Sequence, residues 1–155
     1  MKEEKLSFDQ DLKQKWLSGK LRIKWKKQSP DLFDEEDARI ANNQSRFHFY
    51  EWLAAIRYYK LGFNVLVEQY IYNPHKRKLG ILKKLIGADG ISFLRSKIKT
   101  SRTQPPDLFV YKGRKFFFVE VKGPGDKLQE NQKKFFEEIE RYFKADIIVL
   151  ALIPK

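Results

Sequence analysis

The sequence predicts an α/β fold, a mixed central sheet flanked by helices, and three observations support it. Segments with apolar residues at helical spacing alternate with short runs rich in β-branched and aromatic residues. Two of those runs are separated by a tight turn, and the chain closes with the continuous apolar run DIIVLALI. The predicted element order is helix, strand, insertion, two-stranded hairpin, helix, strand, which favours helices on both faces of the sheet.

Composition limits the classes of protein to consider. The chain has 155 residues, of which 42% are hydrophobic, enough to bury a core within one domain. It contains no apolar run of about 18 residues, as a membrane span requires. Its start, MKEEKLSFDQDLKQK, lacks the apolar centre of a secretory signal. The absence of cysteine excludes disulfides and thiolate metal sites and fits a cytoplasmic setting, associated with the nucleoid in a prokaryotic host.

Residues 1–44 are predicted to form a basic N-terminal extension that packs on a core domain spanning residues 45–155. The first thirty residues mix charges with apolar side chains and stop at Ser29-Pro30. Within them LRIKWKK alternates apolar and basic residues, a pattern that favours a short strand. The acidic stretch 31–44 then leads into the core domain.

The core domain is predicted to begin with a helix and a strand. The helix is expected over about residues 45–61, followed by Gly62 in the left-handed position that often ends a helix. Its apolar residues fall at helical spacing: Phe49, Trp52, Leu53, Ile56 and Tyr59. Residues 63–72 are rich in β-branched and aromatic types and predict a strand, which Asn73-Pro74 ends.

Residues 74–104 are predicted to be a basic insertion whose loops face a partner. Residues 74–103 carry nine Lys or Arg against one Asp, the strongest local excess in a chain of net charge +12. Concentrated positive charge is typical of surfaces that bind a phosphate backbone. The alternative is a solvated lysine-rich surface. The candidate nucleic-acid-binding residues are Lys76, Arg77, Lys78, Lys83, Lys84, Arg95, Lys97 and Lys99.

The last part of the chain predicts a hairpin, a helix and a strand. The hairpin strands are expected at 107–111 and 115–122, joined by a tight turn at Lys112-Gly113. A helix is expected over about 127–143, with Asp126 as N-cap and Gln129 completing a capping box. Residues 146–153 form the continuous apolar run that a strand buried on both faces would have.

The hairpin brings two acids and a lysine to one face of the sheet. A two-residue turn at Lys112-Gly113 pairs Tyr111 with Arg114, which makes Glu120 the diagonal neighbour of Asp107 at roughly 7–8 Å. Because side chains alternate along a strand, Glu120 and Lys122 share that face. One divalent metal would bridge the two carboxylates. A turn one residue longer would move Asp107 to the other face.

The residue types around this pair point to hydrolysis of phosphodiesters. The strand FFFVEV indicates burial, and buried acids are costly unless they are paired or bound to metal. His48 and His75 are too few for a histidine-built site, so the metal would be a hard cation bound by oxygen. Gln132 lies on the apolar face of its helix, where it would orient water or phosphate. The alternatives are an exposed Glu120–Lys122 ion pair and a glutamine bonded to backbone at the core edge.

Three segments resemble the signature of the VRR-NUC family in the PD-(D/E)xK nuclease superfamily. They are Pro106-Asp107, Glu120-Val121-Lys122, and GPGDKL at 123–128 followed by Gln132. The whole run FVEVKGPGDKLQENQ is more specific than either short motif. The resemblance covers 104–153 well and 45–73 loosely. It implies a restriction-endonuclease-like αβββαβ core and a Mg²⁺- or Mn²⁺-dependent DNA nuclease, several relatives of which cut branched, flapped or Holliday-type structures.

The resemblance also implies roles for individual residues. Asp107 and Glu120 would bind the metal, together with the backbone carbonyl of Val121. Lys122 would lie near the attacking water, and Gln132 would be the helix glutamine of the signature. The family places a further glutamate in the first core helix, where Glu51 is the candidate, with Glu68 on the first strand as the alternative. Pro105 stands where a glycine commonly precedes the PD motif.

The hypothesis from the sequence is therefore metal-dependent hydrolysis of DNA by an endonuclease that selects the shape of its substrate. Selection by shape is favoured because contacts between basic side chains and phosphates do not read the base sequence. The DNA would be double-stranded or branched. One alternative is a nucleic-acid-binding module without catalysis. Another is a nuclease subunit that acts only with a partner, such as a second copy of the chain in a homodimer.

Overall fold

The computed structural model describes residues 1–155 and contains five strands and six helices. In chain order the elements are β1 (Lys2–Phe8), α1 (Gln10–Leu17), α2 (Lys20–Gln28), α3 (Glu35–Asn43), α4 (Phe49–Lys60), β2 (Asn64–Val67), α5 (Lys76–Ser101), β3 (Leu108–Lys112), β4 (Lys115–Lys122), α6 (Glu130–Phe143) and β5 (Ile147–Pro154). The sheet has the order β1-β5-β4-β3-β2. Strand β5 is parallel to both of its neighbours, whereas β3 is antiparallel to β4 and to β2. The fold is mixed α/β, as the sequence predicts.

The sheet separates two hydrophobic cores because its side chains alternate between faces. Val119 and Val121 pack with α1 to α4 in the larger core, whereas Phe118 packs with α5 and α6 in the smaller one. Glu120 has the same parity as Phe118 and therefore points toward the α6 side. None of the helices is long and apolar enough to span a bilayer.

The N-terminal segment is more deeply integrated than the sequence indicates. Residues 2–8 form β1, an edge strand paired with β5 from Lys2↔Ile148 to Phe8↔Pro154. The strand predicted for LRIKWKK is wrong, since this segment lies in α2. Leu21 and Trp25 are four residues apart, and helical spacing places both on the buried face.

Two predicted elements in the middle of the chain change. Strand β2 ends at Val67 rather than Tyr72, because Glu68 and Gln69 adopt left-handed backbone angles, with φ of 46° and 49°. The basic insertion is a helix, α5, rather than loops, with one break where Gly87 has φ 74° and ψ 171°. Its apolar residues Leu82, Ile91 and Leu94 are buried in the smaller core, which explains why this glycine-containing segment is ordered.

The hairpin has a different register from the predicted one. Lys112 pairs with Lys115, so the turn residues are Gly113 and Arg114 rather than Lys112 and Gly113. The sum of paired residue numbers rises by two, which leaves every side chain on its predicted face. The helix that follows begins at Glu130, and its N-cap is Gln129 rather than Asp126, with a capping box closed by Gln132.

Trp16 should contribute strongly to stability, although it lies in the N-terminal extension. Its side chain is fully buried against Trp25, Phe49 and Trp52. We expect Trp16→Ala to lower the free energy of unfolding by about 3–5 kcal/mol, measured by urea denaturation. The adjacent Leu17 is 42% exposed, so Leu17→Ala should change it by no more than about 0.5 kcal/mol. Equal effects of the two variants would contradict the inclusion of this segment in the core.

Candidate active site

Asp107 lies directly before β3, and hydrogen bonds fix both its backbone and its side chain. Its Oδ2 accepts from the backbone N–H of Val121 at 2.8 Å, and its carbonyl accepts from the N–H of Glu68 at 2.8 Å. The preceding carbonyl, of Pro106, accepts from the hydroxyl of buried Tyr70 at 2.6 Å. Leu108 pairs with Val119, so Asp107 comes opposite Glu120 rather than Phe118. The two carboxylates are therefore direct rather than diagonal neighbours across the ladder.

Glu120, Lys122 and Gln132 form one hydrogen-bonded group beside Asp107. Glu120 is buried, and its Oε2 lies 3.0 Å from the ammonium of Lys122 and accepts from Gln132 Nε2 at 2.9 Å. The Lys122 ammonium also donates to Gln132 Oε1 at 3.2 Å. The same Oε1 accepts from the backbone N–H of Gln129 in the capping box of α6. The start of α6 thus fixes the amide that orients both charged side chains of β4.

Glu51 approaches this group from the first turn of α4. Its Oε2 is buried and has no hydrogen-bond partner, an unusual state for a carboxylate oxygen. Burial, followed by the charge of Glu68, raises the pKa of Glu51 from its ordinary 4.5 to about 7. Burial, then the charges of Glu120 and Glu51, also raises the pKa of Asp107 well above its ordinary value. These shifts indicate that the carboxylates repel one another in a poorly solvated space.

Glu68 joins the same cluster, so the structure brings together both candidates for the additional acid. His48, Glu51 and Glu68 offer ligand atoms that all lie within 4.8 Å of one another. His48 Nδ1 is hydrogen-bonded to Glu68 Oε2, and His48 Nε2 lies 2.9 Å from Gln44 Oε1. Burial lowers the pKa of His48, but the hydrogen bond and charge of Glu68 outweigh that effect and raise it above its ordinary value.

His48 is the site residue that the sequence analysis missed. Two histidines are too few for a histidine-built site, but a single imidazole beside carboxylates can still contribute one metal ligand. The available signal was spacing, because His48 precedes Glu51 by three residues at the start of a helix, where such pairs share a face. The contact with Glu68 depends on the tertiary fold and has no local signal.

The donors in this cluster suit a hard divalent cation. His48, Glu51 and Glu68 contribute one imidazole and two carboxylates, including the unpartnered Oε2 of Glu51, and the carboxylates of Asp107 and Glu120 lie near enough for their charges to act on Glu51 or be acted on by it. Oxygen ligands are those that Mg²⁺ and Mn²⁺ prefer. A cation would also offset the repulsion that raises the pKa of Asp107 and Glu51. The residues present therefore fit such an ion. The carbonyl of Val121 as a ligand stays a prediction.

Two clefts adjoin the candidate site. One has a volume of about 630 Å³ and is lined by polar residues that include Lys122 and Gln132. The other, of about 930 Å³, reaches Asp107, Glu68 and His48 at one end. Its remaining wall includes apolar and basic groups, among them Tyr72, Ile98 and Lys99. The second cleft therefore reaches the carboxylates of Asp107 and Glu68, whereas the first reaches Lys122 and Gln132.

The predicted nucleic-acid-binding residues occupy different environments on α5. Lys76, Arg77, Lys83, Lys84 and Lys99 are exposed, whereas Arg95 and Lys97 are half-buried. Arg77 pairs with Asp34 at 2.8 Å, and Lys97 pairs with Glu138 at 2.8 Å. Lys78 is 1% exposed, and its ammonium contacts Asp37 at 2.5 Å. The ammonium of Lys78 is enclosed by protein and does not face a DNA backbone.

Comparison with models of known protein families matches residues 50–149 to the VRR-NUC domain. The matched segment contains Glu51, Glu68, Asp107, Glu120, Lys122 and Gln132. It begins after α3 and two residues after His48. No curated protein matches the chain.

The raised pKa of Glu51 predicts that the effect of metal on stability depends on pH. A carboxyl whose folded pKa is raised stabilises the fold below about pH 4.5 and loses that contribution as the pH rises through about 7. Divalent ions bind the ionised carboxylates, so Mn²⁺ should raise the melting temperature more at about pH 8 than at about pH 5.5. Thermal unfolding with Mn²⁺ or EDTA measures this difference. Glu51→Gln should reduce it, and an equal rise at both pH values would contradict the cluster as the binding site.

Proposed function

The chain belongs to the VRR-NUC domain family, which implies a nuclease of the PD-(D/E)xK type, and we propose that it is a metal-dependent DNA endonuclease. The observation that carries the proposal is the group formed by Asp107, Glu120, Lys122 and Gln132. Asp107, directly before β3, and Glu120, on the adjacent strand β4, lie beside a lysine and an amide that both contact Glu120. This combination suits phosphodiester hydrolysis.

We also assign the core of the fold to the restriction-endonuclease-like type. The elements α4, β2, β3, β4, α6 and β5 have the order αβββαβ, with α5 inserted between β2 and β3. Residues 45–155 would then be the nuclease domain, and residues 1–44 an extension that adds an edge strand and core tryptophans to it.

The carboxylates of Asp107 and Glu120 and the carbonyl of Val121 would hold Mg²⁺ or Mn²⁺, with Glu51 as a further acid. Glu68 and His48 lie next to Glu51, with ligand atoms close enough to contact the same ion. The chemistry that the bound ion supplies is a lower pKa of water and neutralisation of the charge on the scissile phosphate. The Oε2 of Glu51 supports its inclusion, since this buried oxygen has no hydrogen-bond partner within the protein.

Lys122 and Gln132 would act on the reacting groups. The Lys122 ammonium, held between Glu120 and Gln132, would position the attacking water or stabilise negative charge on the pentavalent phosphate. The Gln132 amide donates to Glu120 and accepts from Lys122, so it fixes the orientation of both before substrate binds. Because these groups are already oriented, the activation free energy does not include the cost of ordering them.

The DNA would lie across the clefts and along α5. Exposed Lys76, Lys83, Lys84 and Lys99 suit contacts with phosphates, which confer affinity and register but no base sequence. The larger cleft adds exposed Tyr72 and half-buried Ile98 near Asp107, a lining on which an unpaired base can stack. These features favour branched or flapped DNA over uninterrupted duplex.

Two alternatives remain as outcomes of the experiment. A binding module without catalysis has no use for a cluster of buried carboxylates that repel phosphate, and this observation favours the nuclease. A subunit that needs a partner, including a second copy in a homodimer, would have the same acidic cluster.

Cleavage should depend on Asp107 and Lys122. Purified protein incubated with supercoiled, flap or four-way-junction DNA should cut in Mg²⁺ or Mn²⁺ and not in EDTA. Asp107→Asn and Lys122→Ala should each lower the rate by at least about 10²–10³-fold, because each removes a preorganised charge. Lys115→Ala changes an exposed residue at the other end of β4 and should retain activity. Undiminished cleavage by either site variant would rule out the assignment, whereas wild-type binding without cleavage would favour a binding module or a partner-dependent subunit.

DNA affinity should depend on salt through the lysines of α5. Each phosphate contact contributes about 0.9 to the slope of log K against log salt, so replacing Lys83 and Lys84 with alanine should reduce the slope by up to about 2. The loss should be similar for unrelated sequences of the same DNA shape. Lys26→Ala, on α2, is the control for removing a lysine elsewhere and should leave the slope unchanged. Affinity is measured by fluorescence anisotropy. A loss of affinity that depends on the DNA sequence would contradict the proposal that these lysines contact only phosphates.

A further inference from the structure

Lys78 stands apart from the other lysines of α5 because its side chain is directed into the protein. It is 1% exposed, and its ammonium donates three hydrogen bonds. The acceptors are Asp37 Oδ1 at 2.5 Å, the Val67 carbonyl at 2.5 Å and the Glu68 carbonyl at 3.0 Å. An ammonium has three N–H groups, so this one is fully satisfied by protein atoms.

The two carbonyl acceptors belong to the turn that carries Glu68. Glu68 and Gln69 have φ of 46° and 49°, the left-handed region that residues other than glycine rarely adopt. Such a conformation persists where the surroundings hold it in place. The Glu68 N–H donates to the Asp107 carbonyl at 2.8 Å, and the carbonyl groups on either side of the Glu68 Cα accept from Lys78. Lys78 therefore supplies the contact that opposes relaxation of this turn.

The orientation of Glu68 matters because its carboxylate lies in the acidic cluster. Its Oε2 accepts from His48, and its ligand atom lies within 4.8 Å of those of His48 and Glu51. If β2 continued in extended conformation past Val67, successive side chains would alternate across the sheet and Glu68 would take a different direction. The left-handed turn is thus what sets the direction of this carboxylate.

We propose that Lys78 is a positioning residue for the acidic cluster: its ammonium holds the left-handed turn that directs the Glu68 carboxylate toward His48 and Glu51. The effect of Lys78 on catalysis rests on the proposed nuclease function. Its effect on the turn at Glu68 does not. Lys78 acts through the backbone of Glu68 and contacts no substrate.

Asp37 gives the buried ammonium its counter-charge and ties α3 to the site. Asp37 is itself buried, and its other oxygen accepts from the Asp34 N–H in the capping box of α3. A buried lysine without a carboxylate would be costly, so the pair allows the ammonium to remain next to the two carbonyls. Asp37 precedes the segment matched to the family, residues 50–149. Residues before the matched segment therefore support the orientation of a carboxylate inside it.

The test combines backbone exchange with metal binding in Lys78→Met, which keeps a long unbranched side chain and removes the charge. In the folded variant, hydrogen exchange of the Glu68 amide should accelerate at least about tenfold, because the turn loses two of its contacts. Mn²⁺ affinity, measured calorimetrically without DNA, should fall by about 10–100-fold, the range for groups that orient metal ligands. Lys26→Met is the matched control, since it removes a lysine from an exposed ion pair with Glu35 and should change neither quantity.

A double-mutant cycle separates positioning from general loss of stability. If Lys78 acts through Glu68, adding Lys78→Met to Glu68→Gln should weaken Mn²⁺ binding by less than about twofold more. Full additivity of the two losses would overturn the proposal. Unchanged exchange at the Glu68 amide in folded Lys78→Met would overturn it as well.

A second variant is needed if Lys78→Met does not fold because the buried Asp37 carboxylate keeps only the longer ion pair with Arg77, at 3.8 Å. Lys78→Met combined with Asp37→Asn removes both charges and keeps an acceptor for the Asp34 N–H. Hydrogen exchange of the Glu68 amide is then measured in this double variant. Faster exchange than in wild type would support the proposal, and unchanged exchange would overturn it. Failure of wild type to bind Mn²⁺ or cut DNA would overturn the proposed function alone, because the exchange at Glu68 is measured without metal or DNA.

Discussion

The rest of the site depends on one constraint, which is that four carboxylates that repel one another are held close together. They belong to Asp107, Glu120, Glu51 and Glu68. Burial, and then the charges of neighbouring carboxylates, raise the pKa of Asp107 and Glu51, and one oxygen of Glu51 has no hydrogen-bond partner. Glu120 is paired with Lys122 and Glu68 with His48, whereas Asp107 and Glu51 have no basic partner that would offset the cost of their burial. Here the backbone holds them together, which fits a site that receives a cation and a phosphate.

Three separate sets of interactions hold these carboxylates in place. The β3–β4 ladder sets Asp107 opposite Glu120, and the Val121 N–H fixes the Asp107 carboxylate. The capping box of α6 directs Gln132 toward Glu120 and Lys122. The buried ammonium of Lys78 holds the turn at Glu68, with α3 supplying its counter-charge. Each set of interactions includes backbone groups, which move less than side chains. The carboxylates therefore remain close despite their repulsion.

The sequence predicted those parts of the fold and site that depend on local periodicity. Asp107, Glu120 and Lys122 share a face because strand side chains alternate, and an error of one residue in the turn shifted the pairing by two without changing the face. Strand β1 was missed because its residues KEEKLSF are mostly charged, as an edge strand tolerates. The helical nature of α5 was obscured by three glycines. The contacts of His48 and Lys78 with Glu68 join distant segments, and no local pattern encodes them.

We expect Asp107 and Glu120 to bind a divalent cation together. The most direct measurement is anomalous X-ray diffraction from crystals grown with Mn²⁺, which locates the ion without reference to activity. We expect an anomalous peak in direct contact with both the Asp107 and Glu120 carboxylates. A peak bound only by His48, Glu51 and Glu68, with Asp107 and Glu120 uncoordinated, would contradict it.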